Sequence, residues 1–458
     1  MKRIFLIVVS TLLIFTYTGI NAHVNAQSGS GWKAGVARKV ITPEEPMWLA
    51  GYGSRDHESE GKLHDLWAKA LAFEDAKGNK GVLVTSDILG FPKNMSDEIR
   101  DLLASKYDLS KAQVILNSSH THSGPALKNS LPDVYPVNNS QQKRIDLYTE
   151  KLTGQIVELV GEALNNMQTV NIYAENGVTR FQINRRNNDA ATLDSRTDLN
   201  GPNDYAVPVI KVEKKNGDLL AVAFGYACHP TVLSIYHFSG DYPGFAQIEL
   251  EKSYPGVTAM FFQGAGADQN PLPRRTIPLA EQYGKELAAA VERVLHEEMT
   301  EIEPILSTAY SEVTLELTTP PTKEELAKIA EENSGSQKRW AQRLHGILER
   351  GESLETKYPY PVQVWNFGNL PIVTLGGELL IDYSIKLKEI LGQDIIVMGY
   401  TNDVMSYIPS VRVLREGGYE GDRSQMVYGL PSKWKGNIET LIIHEALKTA
   451  QNAGITVP

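Results

Sequence analysis

Two imidazoles two residues apart, His120 and His122, follow an apolar run at residues 113–116, within Ser119-His120-Thr121-His122-Ser123-Gly124-Pro125. In extended backbone side chains alternate, so both rings project to the same side and one can bind a metal while the other faces the same cavity. Such pairs also occur by chance in surface loops. The metal reading gains from a second apolar run, residues 219–227, which ends at His229-Pro230-Thr231. Imidazoles carried at the C-terminal ends of two strands correspond to the α/β arrangement in which sites form. Two His leave zinc short of its tetrahedral donor set, which directs attention to carboxylates and phenolates at comparable strand ends. Glu378 follows Gly376-Gly377 after the apolar run 371–375, and residues 394–398 lead into a segment that carries Asp403 and Tyr407.

Such groups need a rigid frame. Short runs rich in Val, Ile and Leu predict strands at residues 81–86, 113–116, 207–212, 219–227, 258–262, 371–375 and 394–398. Amphipathic spacing predicts helices at 95–105, 142–165, 278–298, 323–349, 383–391 and 437–452, the fourth highly charged and preceded by Pro320-Pro321-Thr322. The alternation implies an α/β fold with a mixed sheet core flanked by helices. Residues 184–203, rich in Asn, Asp and Arg, read as a long loop of the kind that is functional or mobile. No internal repeat or low-complexity tract is evident.

With these residues in place, the sequence resembles the neutral, non-lysosomal ceramidases, zinc amidases that cleave the N-acyl bond of ceramide. The resemblance starts at Ala34-Gly35-Val36-Ala37, Ile41-Thr42-Pro43 and Leu49-Ala50-Gly51-Tyr52-Gly53, and is most specific at the His-Thr-His segment. It continues through Asn184-Arg185, His229, Ser239-Gly240-Asp241, Gly244-Phe245-Ala246, Gly377-Glu378 and residues 402–421. It implies one zinc ion held by His120, His229, Glu378 and Tyr407. A second active-site tyrosine lies 12 residues beyond the ligand tyrosine in the family, in a Tyr-Glu-Gly triplet, and Tyr419-Glu420-Gly421 stands at that spacing from Tyr407. The resemblance further implies that His122 lies beside the metal-bound water or the scissile amide and that Arg185 is a polar active-site contact. Asp87, which closes the strand 81–86, is a candidate to support a ligand imidazole; His64-Asp65 are candidates too.

The sequence departs from the family where a serine once proposed as nucleophile is expected. Gly266-Ala267-Asp268-Gln269-Asn270-Pro271 places Gln269 at that position. A seryl enzyme is therefore not expected; zinc-bound water is, with Tyr419 or Arg185 donating to the oxyanion and His122 carrying a proton to the leaving amine. Gln269 is then free to hydrogen-bond substrate, and Asp268 or Asn270 to orient water. The resemblance covers the family's catalytic domain, expected here as one large domain over residues 27–458, without the C-terminal β-sandwich. Ceramide is the family's substrate. The alternatives are another N-acyl or ester substrate, as for a sugar deacetylase or an N-acyl amino acid amidase, or a non-catalytic lipid- or glycan-binding relative.

Composition fits that picture. Hydrophobic residues make up 42% and charged residues 22%, enough for a sizeable core. A formal charge of −10 argues against nucleic acid as a partner. Lys2 and Arg3 precede an apolar run at residues 4–15, shorter than the about 20 residues of a bilayer span, and Val24-Asn25-Ala26 follows. Residues 1–26 therefore read as a signal peptide, which implies a secreted, periplasmic or cell-envelope protein with no integral membrane segment after cleavage. The single cysteine, Cys228, rules out an intramolecular disulfide and reads as a small buried residue.

Overall fold

Strands of the main sheet form where apolar residues run almost unbroken, and those toward its two ends are buried on both faces while the two in the middle are half-buried. In a computed structural model, which describes residues 31–458, they are β1 (Lys33–Val40), β2 (Trp67–Glu74), β3 (Lys80–Ser86), β4 (Val114–Ser118), β5 (Gln168–Val178), β6 (Ala206–Lys214), β7 (Leu219–Tyr226) and β8 (Thr258–Gln263). Their spatial order is β8-β7-β6-β5-β1-β2-β3-β4, and the short strand Thr300–Glu301 pairs with β5. β3 with β4 and β7 with β8 run parallel; the other neighbours are antiparallel.

Parallel neighbours need a crossover, which here is helical. α1 (Lys93–Tyr107) joins β3 to β4, α2 (Asn139–Asn165) covers β1 and β2, α3 (Asp241–Ser253) joins β7 to β8, and α4 (Ile277–Leu295) packs on α3. α2 starts at a reciprocal cap between Asn138 and Gln141 and buries Ile145, Leu152, Ile156, Leu159 and Ala163, the stripe expected of a surface helix. The outer strands β4 and β8 approach one another. Asn117 of β4 accepts from Gln263 N at 2.8 Å and donates to Gly399 O at 2.9 Å, so one buried amide satisfies backbone groups that sheet edges leave unpaired.

A second sheet stacks on the first. It comprises β9 (Leu306–Glu316), β10 (Lys357–Phe367), β11 (Leu370–Leu375) and β12 (Ile396–Met398), in that order, with only β11 and β12 parallel. Phe73, Leu83, Ile115 and Phe262 of the first sheet share a buried cluster with Trp365, Phe367, Ile372 and Met398 of the second. α5 (Lys323–Glu332) and α6 (Gly335–Glu349) are inserted between β9 and β10, while α7 (Ile381–Leu391) and α8 (Ile438–Asn452) cover the outer face of the second sheet. The result is a helix, sheet, sheet, helix layering.

The mixed α/β architecture agrees with expectation, with two refinements. The core contains two stacked sheets; β9, half-buried and rich in Ser, Thr and Glu, and β10, opened by Pro359 and Pro361, carry no clear strand signal. The helix expected over 323–349 breaks in two at Asn333, whose side chain donates to Ile329 O, before Gly335 at φ 62°. Residues 184–203 are mostly irregular, as read, with a short 3-10 turn at Ala190–Ser195. The signal-peptide residues 1–26 lie outside the described residues. Among the described residues no helix is long and apolar enough to cross a membrane.

Candidate metal centre

His120 comes immediately after β4 and its continuation Ser119, in a left-handed backbone conformation at φ 64°. Its Nδ1 lies 2.5 Å from Leu89 O. A carbonyl only accepts, so Nδ1 carries the proton and Nε2 presents a lone pair. His229 follows β7 and is oriented in the same way, with Nδ1 donating to Gly266 O at 3.1 Å. Glu378 begins a two-residue ladder in which it pairs with Tyr407, placing carboxylate and phenol side by side. Gly377 precedes it at φ 71°, where an added Cβ would meet Ser406 O at 2.7 Å. Gly51 holds the other side of the site: a Cβ there would lie 2.5 Å from the His122 ring.

The donors converge. Glu378 Oε2 lies 3.2 Å from both His120 Nε2 and His229 Nε2, and His122 Nε2 lies 3.3 Å from His120 Nε2. Despite this proximity, Glu378 Oε2 and His229 Nε2 are buried without a hydrogen-bond partner. Orphaned buried acceptors are costly. They are accounted for if their lone pairs point at a common centre, since zinc bonds of about 2.0–2.1 Å in a tetrahedron place donor atoms about 3.3 Å apart. His120, His122 and His229 together form a group able to hold a metal ion.

Electrostatics suit a cation. Burial opposes ionisation of Glu378, yet His120 and His229 hold its carboxyl well below the usual range. Burial pushes the His229 imidazole down to about 4 against the pull of Glu378. Burial, reinforced by the two other imidazoles, likewise pushes His122 well below its ordinary value. Protons on the Nε2 atoms are what hold Glu378 ionised, and a cation at the same centre would take their place, leaving neutral imidazoles beside an ionised carboxylate, the ligand forms of these residues. Tyr428 Oη donates to the other oxygen of Glu378, and the Tyr400 ring packs 4.5 Å from that of His120.

Arg185 forms the adjoining wall. It donates to Tyr407 Oη at 3.1 Å and to Glu420 at 2.8 Å, and approaches Asn270 Oδ1 at 3.5 Å. The Tyr419 ring lies 5.3 Å from that of Tyr407 and opens a π-helical turn, Tyr419–Arg423, of a kind common at functional sites.

Residues 32–272 match the family described as neutral/alkaline non-lysosomal ceramidase, N-terminal. The chain belongs to this family. Neutral ceramidase B of Dictyostelium discoideum is 28% identical over 249 residues, covering 51% of this chain and 33% of the relative. Neutral ceramidase A of the same organism is 25% identical over 285 residues, with 57% and 38% covered. The alignments thus span only about a third of the length of these relatives. In fold, the chain is similar to the neutral ceramidase of Pseudomonas aeruginosa, with a TM-score of 0.72 at 17% identity, covering 93% of this chain and 75% of that one. A ceramidase solved in complex with C2 gives a TM-score of 0.71, also at 17% identity.

In this ceramidase-family chain, Gln269, at the position where a serine was expected, and Asp268 before it serve the frame. Gln269 accepts from His229 N through its carbonyl, and its side-chain Nε2 donates to Pro202 O at 3.2 Å. Asp268 accepts from Ile381 N and Asn184, and its carbonyl accepts from Arg185 N, so it positions Arg185. Asp87 accepts from Trp67 N at 3.0 Å and is flanked by Lys69 and His64, away from contact with the three imidazoles; His64 in turn bonds Ser239. Cys228 is buried, and burial pushes its thiol well up, as suits an inert residue. The sequence reading missed Tyr400 and Tyr428, which carry no motif, and the pairing role of Glu420, although its triplet was visible.

Asp403, in the loop leading to Tyr407, is buried and accepts from Tyr358 Oη at 2.6 Å. Burial pushes its carboxyl up to about 7. The folded chain therefore keeps a proton that the unfolded chain releases above about 4. This contribution to stability is complete below about pH 4 and is lost as pH rises to about 7, on the order of 3–4 kcal/mol. Asp403→Asn is expected to flatten the decline, so that in urea unfolding it gains on the wild type at pH 8 relative to pH 5; parallel pH profiles would disprove the assignment.

Proposed function

We propose that this chain is an exported zinc-dependent hydrolase of N-acyl amides, with His120, His229, Glu378 and Tyr407 holding the ion. The observation that carries the reading is the pair of unpartnered, fully buried acceptors His229 Nε2 and Glu378 Oε2, 3.2 Å apart, with Glu378 Oε2 also 3.2 Å from His120 Nε2, the spacing of donors around one tetrahedral ion. Family membership supports amide hydrolysis, and the signal-like residues 1–26 support export.

When bound, zinc supplies Lewis-acid polarisation of the carbonyl and acidifies water to a pKa of about 7. The remaining work falls to side chains. Arg185, fixed by Glu420, keeps a positive charge against the Tyr407 oxygen. Tyr419 is 38% exposed, but partial desolvation of its hydroxyl and the charge of Glu378 push the phenol up, so it stays protonated at neutral pH and can donate to a developing oxyanion. His122, kept neutral by burial, can accept a proton from water and pass it to the leaving amine. The lack of serine at position 269 is consistent with water as the attacking nucleophile.

Treatment with a strong chelator is expected to abolish hydrolysis of N-acyl substrates, and one equivalent of zinc to restore it. Full activity in metal-free protein would sink the reading. Export is tested by the N-terminus of protein recovered outside the cytoplasm, expected at Gln27; an intact Met1 would refute cleavage.

A further inference from the structure

Arg185, Asn270 and Tyr419 also line a cavity of about 720 Å³ beside the metal centre. Its only large apolar linings are Leu272 and the Tyr419 ring, a poor bed for a long hydrocarbon chain. Four guanidiniums, those of Arg185, Arg186, Arg196 and Arg274, face two carboxylates, Asp189 and Glu420. Those carboxylates are already engaged. Glu420 is shared between Arg185 and Arg186, and Asp189 accepts from Ala191 N to cap a turn.

Arg274 and its neighbour Arg275 are different. Arg274 donates to Thr231 Oγ1 at 3.2 Å, two residues beyond His229. Arg275 donates to Tyr52 Oη at 2.7 Å and lies over that ring, whose centroid is 4.7 Å from that of His122. The two guanidiniums are thus anchored to residues next to the imidazole cluster, Arg274 through Thr231 and Arg275 through Tyr52, and among the described residues neither has an ion-pair partner. Arg275 also sits at φ 93°, strained for a side chain of this size and of a kind that gathers at ligand sites. Burial pushes the Arg274 guanidinium down, and the like charges of Arg275 and Arg185 add to that. The acid acting on both is Asp241, which is buried and occupied by the backbone N–H groups of Val232, Leu233 and Tyr242, so a chain of net charge −10 places two guanidiniums without a direct ion pair near its imidazole cluster.

We propose that the substrate is an amide carrying an oxyanion close to the scissile bond, an N-acyl amino acid being the simplest, and that Arg274 and Arg275 bind that anion. Guanidinium forks match carboxylates bidentately, and unpaired ones at a site mouth select for that group. The proposal rests on the amide-hydrolase reading for turnover, but binding tests it separately.

The test compares N-lauroylglycine with N-lauroylglycinamide, which differ only in the carboxylate, by calorimetric binding to the zinc-loaded protein and by kcat/KM. The glycine compound is expected to bind about tenfold more tightly or better, with the preference shrinking between low and high salt. In Arg274→Met the ratio is expected to collapse to within about twofold and in Arg275→Met to fall substantially, with melting temperature confirming the fold. N-lauroyltaurine and competition by inorganic phosphate separate a carboxylate requirement from general oxyanion binding.

Equal binding of the two amides, binding of neither, or a preference intact in both variants would overturn the subsite. Preferential binding that Arg274→Met removes, without turnover of any amide, would keep the subsite and defeat the hydrolase reading. Turnover without preference would do the reverse.

Discussion

Glu378→Gln is expected to strip zinc from the site and, with it, activity. Glu378 is buried, and its carboxylate lies 3.2 Å from two imidazole nitrogens that hold it ionised. The amide removes the one formal negative charge in that immediate cluster. Its NH2 group, if turned inward, would point donors at a cation. Residues that merely support a metal ligand are worth about 10- to 100-fold in affinity, so losing a ligand carboxylate should exceed about 100-fold. Metal content measured after dialysis against a weak chelator, together with kcat/KM, checks it. A variant that retains one equivalent of zinc and wild-type turnover would remove Glu378 from the ligand set.

His122→Ala separates two roles that the geometry places within one ångström-scale cluster. His122 Nε2 is near enough to His120 Nε2 to share an ion, yet its Nδ1 is unpartnered, unlike the Nδ1 atoms of His120 and His229, which are tied to carbonyls. An imidazole that no carbonyl fixes can exchange its proton more freely. The expected result is therefore a fall in kcat of about 10²- to 10⁴-fold with zinc retained. Loss of zinc in step with activity would instead make His122 a ligand. Gln is the companion substitution, because it preserves volume against Gly51, where the ring and backbone are in close contact.

The chemistry of the site was more legible than its frame. His120 and His122 were visible because a short apolar strand runs straight into them, and Glu378 because two glycines after a strand are an odd place for a surface acid. Tyr407 needed the family resemblance; its physical link to Glu378 is a two-residue ladder too short to leave a periodic trace. Tyr428 reaches Glu378 from a four-residue helical turn, a span with no signal of its own. β1 and β5 escaped notice because polar residues break their apolar runs, β2 because three alanines and Lys69 leave it without a β-branched residue, β9 because polar residues recur along it, and β10 because two prolines open it. The stacking of two sheets depends on Trp365 and Phe367, whose partners Phe73 and Trp32 are remote in sequence.

Asn117 joins the two outer strands of the main sheet, and those strands belong to the parallel pairs that carry His120 and His229. The proposed ligands come from distant stretches of chain, so they meet only after the longest-range contacts have closed, the slow part of building such a topology. A half-folded chain consequently offers no complete nest for an ion. If the site takes up an ion as proposed, the metal acquired is set by where folding finishes: beyond the cytoplasmic membrane the chain would sample the external metal supply and escape the ranking imposed by the cytosolic pool.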